Sequence, residues 1–129
     1  MRALRILVVI VAIAWGSAGC GNSGVCNGND CVCTSGSDCT VNCSANASEC
    51  HVQGSTSAVH VVCDHDTDCH VECSTSTSCS VDCGGSGDCH VTCPASNCTV
   101  SNCNTNASCD VTCGYTGVAS MNGSTASCP

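Results

Sequence analysis

Histidine and cysteine carry most of the potential chemistry of this chain, and both recur on a fixed spacing. His51, His60, His70 and His90 each stand second in a five-residue unit, Cys-x-Val-x-Cys or a degenerate form of it, and Thr40, Ser80, Thr99 and Asp110 hold that place in other copies. A repeat that brought several imidazoles into register would offer a site for a divalent transition metal such as zinc, copper or nickel. Taken singly, each histidine reads equally well as a polar residue on a solvated strand face. Asp64-His65-Asp66-Thr67-Asp68 concentrates three carboxylates and opens like a calcium loop, but Cys69 and His70 follow where an EF-hand needs its Gly, and no Glu completes it. That connector reads as a solvated acidic turn. Ser, His and Asp are present without a nucleophile elbow to place them, and no Cys-x-x-Cys redox pair occurs. The chain is therefore expected not to be an enzyme.

Positioning these side chains falls to the repeat. Its full copies are Cys39-Val41-Cys43, Cys69-Val71-Cys73, Cys79-Val81-Cys83, Cys89-Val91-Cys93 and Cys109-Val111-Cys113, and Cys98-Val100-Cys103 carries one extra residue. Cys50-Val52-Gly54 and Val59-Val61-Cys63 are degenerate copies, and Cys31-Val32-Cys33 is a shortened forerunner. The period is about ten residues. Period-two alternation puts Cys, Val and Cys on one face of a short strand and polar residues such as Thr40 and Asn42 on the other. Connectors such as Ser74-Thr75-Ser76-Thr77-Ser78 and Gly84-Gly85-Ser86-Gly87-Asp88 are turn chemistry. The fold class is all-β.

The degenerate copies indicate how the cysteines pair. Gly54 replaces a closing cysteine and Val59 replaces the next opening one, so a rule joining the last cysteine of each copy to the first of the next loses a single bridge there. That rule gives Cys33–Cys39, Cys43–Cys50, Cys63–Cys69, Cys73–Cys79, Cys83–Cys89, Cys93–Cys98 and Cys103–Cys109, and Cys26–Cys31 with Cys113–Cys128 completes nine. Pairing within a copy would strand Cys50 and Cys63, and residues four apart in a strand lie about 13 Å apart, beyond a disulfide's span.

Two architectures satisfy this pairing. The favoured one is a small disulfide-stapled β-solenoid with two copies per coil, valine packed on valine in the centre and disulfides at both edges. The alternative is a one-layer antiparallel meander, which leaves its Val/Cys face wet, whereas stacking buries a face that no single repeat can bury. In the solenoid, alternate copies stack, so His51, His70, His90 and Asp110 fall in one outward row about 4.8 Å apart, flanked by Glu72. No capping element is evident after Cys113, so the last coil is expected to present an open edge.

Composition separates the two ends of the chain. Arg2 and Arg5 are its only basic residues, Ile6 to Trp15 is unbroken apolar sequence, and Gly16, Ser17, Ala18 and Gly19 lead into Cys20. This is the layout of a secretory signal, too short in its apolar part to span a bilayer as a permanent helix. Ser17-Ala18-Gly19-Cys20 resembles a bacterial lipobox, with Ser17 where that family usually carries Leu. The resemblance implies acylation of Cys20, which becomes the first mature residue and anchors the protein to a membrane. Gly21, which is not Asp, implies sorting to an outer membrane or cell surface. The organisation expected is a lipoprotein signal peptide at 1–19, a lipid-anchored tether at 20–25 and a cysteine-rich repeat domain at 26–128. An ordinary signal peptide cut near the same place is the other reading. Setting Cys20 aside from the 19 cysteines leaves an even 18.

Beyond the signal there is no Lys or Arg, which excludes phosphate neutralisation and hence nucleic-acid binding. The thirteen valines after Cys20 are too few for a conventional core, so cystine must hold the fold together, as it does in oxidised, exported scaffolds. A reduced thiolate cluster sits badly with export, and His, Asp and Glu interrupt every row an ice-binding face would need. Asn46-Ala47-Ser48 and Asn106-Ala107-Ser108 fit glycosylation sequons, relevant only in a eukaryotic source. The function expected is that of a rigid structural or interaction protein, with metal binding through the histidine row as its rival.

Overall fold

The computed structural model describes residues 21–129 apart from 23, 35, 37, 44–47, 56, 64–66, 85 and 104–107. The expected signal peptide, Cys20, the centre of the acidic connector and both sequon asparagines lie outside the described residues.

Short strands form where polar and apolar residues alternate, because that period buries one strand face and wets the other. In chain order they are β1 (Gly21–Asn22), β2 (Val25–Asn27), β3 (Asp30–Val32), β4 (Cys39–Cys43), β5 (Glu49–Gln53), β6 (Ala58–Cys63) and β7 (Asp68–Glu72). There follow β8 (Ser78–Asp82), β9 (Asp88–Cys93), β10 (Cys98–Ser101), β11 (Ser108–Cys113), β12 (Gly117–Val118), β13 (Ser120–Asn122) and β14 (Thr125–Cys128). Among the described residues no helix is long and apolar enough to cross a membrane.

The strands build two sheets, ordered β1-β4-β6-β8-β10-β14-β13 and β12-β11-β9-β7-β5-β3-β2. From β3 to β11, successive strands alternate between the sheets, and each pairs in parallel with the strand one coil away. Partners lie 19 to 21 residues apart, as in Cys50↔Cys69, Cys39↔Val59 and Cys31↔Val52. This is a β-solenoid with two repeats per coil. A meander would pair sequence neighbours antiparallel, and no neighbours between β3 and β11 do so among the described residues.

Stacking turns the repeat into columns. Val41, Val61, Val81 and Val100 run up the first sheet at 0–1% exposure, and Val52, Val71 and Val91 run up the second, all in one core cluster. The nine disulfides join the same pairs as the spacing rule. Cys43–Cys50, Cys63–Cys69, Cys83–Cys89 and Cys103–Cys109 line one edge, where the chain passes from the first sheet to the second. Cys33–Cys39, Cys73–Cys79, Cys93–Cys98 and Cys113–Cys128 line the other. Closing a loop of five to seven residues stabilises by roughly 2 kcal/mol in the chain-entropy model, and the buried sulfurs complete a core that valine alone leaves thin. Within the second column of bridges, Gly54 and Val59 occupy the bridgeless coil, and Val59 fills part of the gap at 2% exposure. Gly54 is needed for space. A Cβ there would come within 2.7 Å of Ser76 Oγ and 3.0 Å of Cys73 Cα and Glu72 O.

Both ends depart from the repeat. Cys31 aligns with Val52 and so takes a core-valine slot, bonded to Cys26 across the β2–β3 hairpin, while Val32 points outward at 47% exposure. Gly21 and Asn22, inside the expected tether, pair antiparallel with β4. The edge expected to stay open after Cys113 is covered in the first sheet and only at Thr112 and Cys113 in the second. Strand β12 folds back antiparallel on β11, β14 runs antiparallel on β10, and β13 covers β14. Cys128 is delivered opposite Cys98, where the first cysteine of another coil would stand, and bonds Cys113 from there. Antiparallel return strands pair with the edge of β10 along Cys98–Val100, and β12 reaches only Thr112 and Cys113 of β11.

Candidate functional site

The outward face of the second sheet carries three rows of side chains, set by the alternation that turns Cys and Val inward. One row is Glu49–Asp68–Asp88–Ser108. The middle row is Asp30–His51–His70–His90–Asp110, each residue in register with the next. The third is Val32–Gln53–Glu72–Thr92–Thr112. The structure thus brings together the four residues expected from spacing and places Glu72 one row away. His60 lies on the opposite sheet, in register with Thr40 and Ser80, apart from the other three.

The imidazoles touch in sequence. The His51 and His70 rings are 5.2 Å apart between centroids and nearly perpendicular, and those of His70 and His90 are 5.0 Å apart and stacked within 15° of parallel. At one end, Nδ1 of His51 donates to Oδ1 of Asp30 at 3.1 Å. An ionised carboxylate only accepts, so this contact puts the proton on Nδ1 and leaves the lone pair of a neutral His51 on Nε2. At the other end, Nδ1 of His90 stands 3.9 Å from Oδ2 of Asp110, close enough for charge attraction but long for a hydrogen bond. Asp30 was not anticipated from spacing. It belongs to the shortened copy, whose Cys31 takes the valine slot, and only the register Asp30↔His51 reveals it.

The rows bound a groove of about 520 Å³, lined by Asp30, His51, His70, His90, Gln53 and Glu72. Glu72 is held at one oxygen, Oε1, which accepts from the Ser74 backbone N–H at 3.1 Å. Charge is distributed very unevenly between the faces. Strands of the second sheet carry six carboxylates, Asp30, Glu49, Asp68, Glu72, Asp88 and Asp110, and those of the first carry one, Asp82. With no Lys or Arg beyond Arg5, nothing cationic offsets them. The groove therefore lies in a negative field that concentrates cations.

Among the described residues, the only triples of metal-ligating atoms within 4.8 Å of one another are cysteine sulfurs, such as Cys43, Cys63 and Cys69. All belong to disulfides and lack the thiolate that metals require. The histidine row is a ladder of neighbouring pairs, not a convergent triad. Comparison with protein-family models, with curated proteins and with solved structures finds no match to this chain.

Proposed function

We propose that the chain is an exported, lipid-anchored scaffold that holds a rigid acidic surface away from a membrane. The observation that carries this reading is the cysteine count. Nine bridges use every cysteine from Cys26 to Cys128, and the nineteenth, Cys20, stands alone at the end of the signal-like segment. Eighteen cystine sulfurs in so small a fold belong to an oxidising compartment. The lipobox-like Ser17-Ala18-Gly19-Cys20 supplies a reason for one sulfur to be left over.

Exposed apolar side chains lie at both ends of the strand order: Val25 and Val32 in β2 and β3, and Tyr115, Val118 and Met121 in the C-terminal cap. A lipid at Cys20 would hold the N-terminal coil near the membrane and present that cap outward.

The test is to express the full chain in a bacterium, fractionate the cells and take the mass of the mature N-terminal peptide. A membrane-bound protein beginning at Cys20 with a thioether-linked diacylglycerol is expected, and Cys20→Ala should release it with all nine bridges formed. A mature chain beginning elsewhere without lipid would reduce the reading to a secreted scaffold. Retention in the cytoplasm with free thiols would overturn export itself.

A further inference from the structure

We infer that the middle row of the second sheet binds one divalent transition-metal ion between neighbouring imidazoles, with His70 as the ligand common to both pairs. The inference does not rest on lipid anchoring.

The reach of the ligands decides the arrangement. A metal–nitrogen bond of about 2.1 Å allows two ligating nitrogens to lie no more than about 4.2 Å apart. Ring centroids 5.2 and 5.0 Å apart bring both neighbouring pairs near that limit. Because an imidazole lone pair lies in the ring plane, the perpendicular and stacked rings must turn about their side-chain torsions for two nitrogens to converge on one ion. His51 and His70 are exposed and His90 is half-buried, so such rotations displace no core. His51 and His90 are separated by two strand spacings, about 9.6 Å, and do not naturally share an ion without the residue between them. Every short pair therefore contains His70.

The surroundings favour occupancy. Asp30 fixes the Nδ1 proton of His51 and leaves Nε2 for the metal, the carboxylate–histidine arrangement that orients metal ligands and raises their basicity. Asp110 stands at the corresponding end of the row beside His90. Glu72, two residues after His70 on the same strand and face, lines the groove with Oε2 free of the Ser74 contact and brings negative charge to balance a divalent ion. Paired imidazole nitrogens select zinc, copper(II) or nickel over calcium and magnesium, which take oxygen ligands.

Native mass spectrometry and calorimetric titration with zinc chloride, then copper(II) sulfate, test this on the full chain with its nine disulfides formed. The expected result is one ion per chain in the wild type. His51→Ala and His90→Ala should each retain one ion with weaker affinity, because one pair survives in each. His70→Ala and the double variant His51→Ala/His90→Ala should lose it. His60→Ala, on the opposite sheet, should bind as the wild type does. The number of disulfides formed and the far-UV circular dichroism should stay constant throughout, since the substituted side chains lie outside the core. Absence of any bound ion in the wild type would overturn the site. Undiminished binding in His70→Ala, or a loss in His60→Ala equal to that in His70→Ala, would overturn the shared-ligand geometry. Complete loss in His51→Ala alone would do so too.

Discussion

Gly54→Ala tests the packing of the one coil that lacks a bridge. The added methyl carbon would stand 2.7 Å from Ser76 Oγ and 3.0 Å from both Cys73 Cα and Glu72 O. Two of those contacts are with backbone, so the coil must shift to admit it, at about 1–3 kcal/mol for overpacking. Replacing Gly by Ala also restricts the unfolded chain, which returns about 0.4–1 kcal/mol where the native backbone suits alanine. The net expectation is destabilisation of roughly 0–2.6 kcal/mol, with a midpoint of about 1.3 kcal/mol. Ser76 provides an internal check, because its Oγ is buried without a hydrogen-bond partner. Ser76→Ala should therefore be neutral or stabilising by up to about 1 kcal/mol. In the double variant the tightest contact is gone and only the backbone contacts remain, so part of the Gly54→Ala cost should disappear. The assay is guanidinium unfolding of the oxidised protein by circular dichroism, with hydrogen exchange at the Gly54 amide, which donates to Glu72 O at 2.6 Å. A stabilising Gly54→Ala would refute the steric argument. A cost unchanged by Ser76→Ala would show that the hydroxyl is not the obstacle.

Other consequences are as specific. Val81→Ala, at 1% exposure in the middle of a valine column, should cost about 2 kcal/mol in unfolding free energy, whereas Val118→Ala, 90% exposed, should stay within about 0.5 kcal/mol of wild type. Replacing Cys113 and Cys128 together by Ala removes a bridge of sequence separation 15, worth about 3 kcal/mol. The loss should be read first as faster hydrogen exchange in β14, with β7 and β9 still protected. Asp30→Asn should leave the fold intact and weaken zinc binding by about tenfold in calorimetry, because it disturbs the partner that orients His51. An unchanged affinity would remove Asp30 from the site.

Much of this molecule could be read directly from short-range pattern. Alternation within five residues decides which side of a strand Cys and Val occupy. Bridges five to seven residues apart follow from the impossibility of spanning an extended copy, and the paired exceptions at Gly54 and Val59 fix their phase. Because alternate copies stack, even the order His51, His70, His90, Asp110 was implicit in the period. Stacking rather than a meander was favoured on burial, but pairing across 19 to 21 residues is what establishes it.

What the pattern could not supply lies where the repeat stops. The C-terminal cap contains no copy of the unit, and its strands exist because β10 and β11 leave hydrogen-bonding edges for them to fill. The shortened copy at Cys31 shifts by one slot, turning Val32 outward and bringing Asp30 beside His51. The concentration of carboxylates on one face likewise appears only once alternate copies are assigned to separate sheets. Local sequence determined the strands, their inward faces and the disulfides, since each depends on residues a few positions apart. Tertiary structure alone decided the capped ends, the full Asp–His–His–His–Asp row and the field around it, because each depends on register between strands brought together by coiling.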